Sequence, residues 1–342
     1  MKILKYFLFV LLIIFIAGSI YIATQDGDYQ IEESRVIPAP TSLLFEEVNA
    51  LSSWGKWSYW GQEEDIVISL SENSSGEGAW FSWENSDMGD GSVSTLEVIP
   101  DKSIQQELVL ESSISDIKGN MYWHFEPSED GTLVTWGLKD DLSFKEKLAI
   151  TLRNGTLPDL LKPKFRKGLQ DLENNVKLQM EEYSINVDGV TQHSGGFYLY
   201  MTTATRTPEV YDRAGEMIGQ VNLYMKENNI ITAGKPFILY NQKDERSGTS
   251  IFSAAIPTSN QIITPAGSPV LNGFHPAHRA VKVSLRGNTT NASEAWQAGY
   301  RYIQENELEV DPEAAPFEVL HNNPEEEPNP AKWITEIYIP VL

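Results

Sequence analysis

The chain has 342 residues, room for two domains of ordinary size behind a short leader, and its 41% hydrophobic content supports real cores. Its 48 acidic residues against 26 basic ones give a net charge of −22, which argues against a binder of nucleic-acid phosphates. It has no cysteine, which excludes disulfides, thiol catalysis and thiolate metal sites.

Lys2 and Lys5 precede an uncharged apolar run from Tyr6 to Ala23. A membrane crossing needs roughly 20 such residues. Residues 1–25 are therefore read as a transmembrane anchor. The lysines stay in the cytoplasm and the body lies outside it, on the periplasmic side of a bacterial inner membrane. The rival reading is a cleaved signal peptide, with Ala17, Gly18 and Ser19 as the small-residue site. The apolar run continues through Ile20, Tyr21, Ile22 and Ala23, which favours the anchor.

Residues 26–180 form the first expected domain. YQIEESRVIPAP (29–40) alternates like a strand and ends at prolines. TSLLFEEVNAL follows, with Thr41 as a candidate N-cap and Leu44, Phe45 and Val48 on one helical face. Trp54, Trp57 and Trp60 recur at spacing three, as on one side of a short helix. About six short alternating runs then predict an antiparallel meander, and residues 157–180 predict a long helix in which Pro163 sets a kink.

Residues 183–342 form the second expected domain and contain an internal repeat. Each copy reads strand, helix, strand, strand; Pro236 and Phe237 match Pro316 and Phe317, and Ile256 and Pro257 match Ile339 and Pro340. Two such modules side by side make one sheet with two helices on a face. The expected fold class is thus α+β throughout.

The first half resembles the START-like (SRPBCC, polyketide-cyclase-like) superfamily, on VIPAPTSLLFEEV, WGKWSYW, the meander and the final helix. The resemblance implies a helix-grip fold with an apolar cavity between sheet and helix. Trp54, Trp57, Trp60, Trp80, Trp83, Trp123 and Trp136 could line it, and a packed core explains them as well. The second half resembles the GyrI-like, effector-binding domain of multidrug-responsive transcription regulators, on the repeat, AWQAGYRYI, PFEVLHNNPEEEPNPAKW and TEIYIPV. That resemblance implies binding of small, lipophilic, cationic ligands. It departs from the family pattern at Gly287, Asn288 and Thr289, which stand for Gly-Pro-Tyr, and at Leu320, which stands for a tyrosine.

The apolar strand WITEIYIPVL (333–342) carries a carboxylate, Glu336. Alternation puts Ile334, Glu336 and Tyr338 on one face. Aligning the repeats sets Glu336 against Ser253, so the second copy gains a charge that the first lacks. A carboxylate buried there needs a cation, donors or water. A cleft lined by tyrosines would suit a flat lipophilic cation through cation–π contacts of ~0.5–2 kcal/mol each. The family resemblance implies the same role for Glu336. Pairing with an internal Lys or Arg is the other reading. Tyr198, Tyr200, Tyr240 and Trp296 are the further wall candidates.

The expected function is a membrane-anchored, extracytoplasmic binder of amphipathic or cationic small molecules, without a cofactor, a metal or a nucleic-acid partner. One alternative is a hydrolase of strained, cyclopropanoid-like molecules with Glu336 as base, its pKa raised by apolar surroundings. Another is an interaction module of an envelope complex. His275 and His278 form an H-x-x-H pair in a proline-containing loop. A metal site needs a third ligand and a rigid frame, so the pair is read as structural or solvated.

Overall fold

The computed structural model describes residues 2–62, 65–86, 89–111, 115–152, 156–244 and 247–342. It is a mixed α+β chain with an N-terminal apolar helix, α1 (Lys2–Thr24), and two antiparallel sheets. Its contacts divide into two compact units, Met1–Leu178 and Gln179–Leu342. Helix α1 is long and apolar enough to cross a membrane, a property that a signal sequence shares.

In the first unit β1 (Asp28–Ile37) is followed by the short helices α2 (Thr41–Asn49) and α3 (Trp54–Trp57). The meander is β2 (Val67–Leu70), β3 (Trp80–Glu84), β4 (Gly91–Ile99), β5 (Ser103–Leu110), β6 (Ile117–Ser128) and β7 (Gly131–Asp141). Helix α4 (Phe144–Leu152) was not foreseen in the sequence; the long helix α5 (Leu157–Glu181) runs on through Pro163. The sheet order is β1-β7-β6-β5-β4-β3-β2. Trp54, Trp57, Trp60, Trp83, Trp123 and Trp136 are each at most 1% exposed and touch one another ring to ring. They make a packed aromatic core, and Trp80, on the other face of β3, points outward at 40% exposure. Trp136 stacks on Phe165 of α5 at 4.1 Å. Gly168 permits that approach, since a Cβ there would lie 2.6 Å from the Trp136 ring.

The second unit contains β8 (Ser184–His193), β9 (Gly196–Arg206), α6 (Val210–Glu227), β10 (Phe237–Asp244) and β11 (Thr249–Thr258). It continues with β12 (Leu271–His275), β13 (His278–Arg286), α7 (Ala292–Glu305), β14 (Phe317–Leu320) and β15 (Ile334–Val341). The sheet order is β12-β9-β11-β10-β14-β15-β13-β8. The two repeats meet where β10 pairs with β14, and there Ile238 stands directly opposite Glu318.

Strands β8 and β12 lie outside the repeat copies. Each precedes one copy in sequence and pairs with the first strand of the other: β8 with β13, β12 with β9. The links from β8 to β9 and from β12 to β13 therefore cross from one side of the sheet to the other. They touch, because Gly195, with φ +66°, sits where a Cβ would lie 2.1 Å from the His275 carbonyl oxygen.

Period-two alternation sorts the second unit into two faces. Ile238, Phe252, Ala254, Ile337 and Ile339 pack under α6 and α7. Phe237, Leu239, Ala255 and Phe317 gather on the opposite face with Tyr198, Tyr200 and Tyr338.

Candidate functional site

The candidates from the sequence fall on both faces of the second sheet rather than in one pocket. Tyr240 and Trp296 belong to the helical face, Tyr198, Tyr200, Glu336 and Tyr338 to the other. Ser253 is the repeat equivalent of Glu336 but not its neighbour. β11 and β15 are three strand spacings apart, about 14 Å. Ser253 is instead held by Thr202 at 2.8 Å and by the Asn241 amide at 2.9 Å. Ile334 begins β15 opposite Arg286 and is 37% exposed.

Glu336 is internally paired. Lys282 Nζ lies 2.7 Å from its Oε1 and His321 Nε2 lies 3.1 Å from its Oε2. The Tyr338 hydroxyl donates to Oε2 at 2.9 Å. Burial pushes this carboxyl up, but Lys282, His321 and Tyr338 more than reverse it, so it stands below the ordinary glutamate value. The raised pKa expected of a base is thus reversed, because β13 places Lys282 opposite Tyr338, within reach of Glu336.

The helical face holds a second carboxylate that the sequence reading passed over. Glu318 has 0% exposure. The Tyr211 hydroxyl, at the start of α6, donates to its Oε2 at 2.8 Å, and the Trp296 indole N–H, on the first half of α7, donates to its Oε1 at 2.5 Å. Tyr240 of β10 also reaches Glu318 and stands edge-on to Trp296 at 5.6 Å. Burial first, then the charge of Glu318, pushes the Tyr211 and Tyr240 hydroxyls well above the ordinary tyrosine value, so both remain donors. The three aromatic side chains are half-buried above a fully buried carboxylate, where one helix from each repeat meets the junction of the copies. Hydroxyl and indole donors satisfy carboxylate oxygens without cancelling their charge. The signal was present in the sequence: Pro316 and Phe317 match Pro236 and Phe237, so Glu318 replaces Ile238 just as Glu336 replaces Ser253.

The histidine reading also changes. His193, at the end of β8, joins His275 and His278, so the missing third imidazole comes from a strand about 80 residues earlier in the chain. Burial, then repulsion from the other two rings, brings His193 down to about 4. Burial also lowers His275.

No curated protein matches the sequence. Among solved structures, the EcmrR C-terminal domain aligns at 17% identity over 47% of this chain and 98% of that one, with a TM-score of 0.38. Protein MLL2253 from Mesorhizobium loti aligns at 14% identity over 44% of this chain and 98% of that one, with a TM-score of 0.33. The Aha1 dimer from Colwellia psychrerythraea aligns at 14% identity over 43% of this chain and 94% of that one, with a TM-score of 0.33. The family match lies wholly in the second unit and does not confirm the START-like resemblance of the first. The family model described as a GyrI-like small molecule binding domain matches residues 195–342, within the second unit, which thus carries a GyrI-like domain.

Proposed function

We propose that the second unit binds small lipophilic cations between α6 and α7, with Glu318 supplying the charge and Tyr211, Tyr240 and Trp296 the aromatic walls. The observation that carries this is a carboxylate with no exposure held by two tyrosines and a tryptophan at the junction of the repeats. Such a site favours a cation over a neutral molecule of the same shape, because the aromatic faces add cation–π attraction to the charge. The aromatic side chains cover Glu318, so entry requires them to swing aside. The match to a small molecule binding domain supports the same reading.

Two further readings belong to the proposal. Helix α1 anchors the protein in a membrane, with Lys2 and Lys5 on the cytoplasmic side and the body beyond it. The first unit is a START-like domain, supported by a seven-stranded antiparallel sheet joined to a long helix through Trp136 and Phe165. The hydrolase reading ranks lower, since a glutamate paired with Lys282 and held below its ordinary pKa is a weak base.

The test is equilibrium binding of tetraphenylphosphonium, with triphenylphosphine oxide as the neutral control, to the detergent-solubilised full chain. Cation-selective binding supports the proposal; equal affinity for both probes, or none for either, refutes it.

A further inference from the structure

The paired links between β8 and β9 and between β12 and β13 carry His193, His275 and His278 over one ring, Phe317. His193 and His278 are directly opposite in the pairing of β8 with β13, so both side chains share a face. His275 reaches them from the end of β12. One ring nitrogen of each histidine lies within 4.8 Å of one from each of the other two. The frame is rigid: two paired strand ends, one glycine contact between the links, and a buried phenylalanine beneath.

The hydrogen bonds prepare one of the rings. His275 Nδ1 lies 3.1 Å and His278 Nδ1 2.9 Å from the Pro276 carbonyl oxygen. A carbonyl only accepts, so His278 Nδ1 carries the hydrogen and its Nε2 keeps a lone pair, whereas the His275 ring also bonds the Ala315 carbonyl and must give up one of its two carbonyl bonds to ligate. His278 Nε2 is buried and has no hydrogen-bond partner among the described residues. A backbone carbonyl behind Nδ1–H is the usual outer support of a metal-binding imidazole. His193 differs, because its Nδ1 accepts from the Gly195 N–H at 3.1 Å. Its single hydrogen is then on Nε2, so to bind through Nε2 it must change tautomer, with the hydrogen on Nδ1, and give up the Gly195 bond.

We propose that His193, His275 and His278 form a binding site for one divalent transition-metal ion of the zinc class. An all-imidazole set suits zinc and its neighbours and is a poor match for magnesium or calcium, which take oxygen. Nitrogens about 2.0 Å from a tetrahedral zinc stand roughly 3.3 Å apart, so loading draws the rings together by an ångström or so. The ion would fasten the two links to each other and so hold the two edges of the sheet together over Phe317. This site lies on the face of the sheet opposite Glu318, and its occupancy is separable from cation binding.

The test uses the full chain in detergent, carrying an affinity tag without histidine and stripped with a chelator. Zinc and cobalt ions alone are titrated in, and X-ray absorption counts the imidazoles on the bound metal. One equivalent held by three imidazoles is expected. Single alanine substitutions of His193, His275 or His278 should each weaken binding at least 10- to 100-fold, given that losing even an outer supporting group costs about that much. His321→Ala, on the same face but outside the triad, should leave it unchanged. No stoichiometric uptake at micromolar metal by the wild-type chain would overturn the proposal, and so would a bound ion with fewer than three imidazoles. Neither of those two readouts depends on a variant folding.

Discussion

Replacing Glu318 by Gln removes the buried charge beneath Tyr211, Tyr240 and Trp296 while keeping the side chain's shape. A unit charge about 4 Å from a cation contributes ~4 kcal/mol at an effective dielectric of 20. Desolvation of the cation offsets part of this, leaving a net loss of about 2–3 kcal/mol, or roughly 30- to 150-fold in Kd. The neutral probe should change by less than about threefold, because the walls of Tyr211, Tyr240 and Trp296 remain. Isothermal titration of the variant beside the wild type, with both probes, reads the difference. An affinity for tetraphenylphosphonium within twofold of wild type, in a variant that melts normally, would refute the role assigned to Glu318.

The remaining predictions concern the opposite face and the core. Glu336→Gln should lower stability by ~1–3 kcal/mol, since Lys282 loses its nearer carboxylate and keeps only Asp188 at 3.8 Å, and should leave cation affinity unchanged; denaturant titration and the same binding assay check both. Trp296→Ala should weaken cation binding by ~0.5–2 kcal/mol from the lost ring and more if the Glu318 hydrogen bond matters to its position, again read by titration. Gly168→Ala should destabilise the first unit by about 1–3 kcal/mol, seen as a lower Tm, because its methyl would meet the Trp136 ring. In chelator, stability should fall on acidification from about pH 6.5 to pH 4. His193 has its folded pKa depressed to about 4, so the unfolded chain binds more protons in that window, and stability is complete only above it. His193 is only half-buried, and solvent screening reduces its share to ~1–2 kcal/mol; His193→Gln should flatten the profile.

Most of the architecture is legible in the sequence because it rests on period. The meander from β2 to β7 and the long helix α5 follow from alternation and from a 3.6-residue apolar stripe. The repeat gave the strand–helix–strand–strand order of both modules, since duplicated turns and Ile-Pro ends are local features. Strands β8 and β12 were not legible as sheet members, because each pairs with the copy that it does not precede in sequence. The same exchange brings His193 to His275 and His278, which no spacing along the chain reveals. Glu336 drew attention as a charge in an apolar strand, and its partner Lys282 is visible only once β13 is laid beside β15. Glu318 satisfied the same criterion in a shorter strand. What set the two apart is the face on which each lies, with tyrosines and an indole on one side and a lysine on the other.

The most direct measurement of the central claim is photo-crosslinking of the full chain with an aryl-azide lipophilic cation, followed by peptide mapping. The account predicts labels on the segments holding Tyr211, Tyr240 and Trp296, suppressed by excess tetraphenylphosphonium and by Glu318→Gln. Competed labels confined to the segments holding Tyr198, Tyr200 and Tyr338 would place the ligand on the opposite face and contradict it.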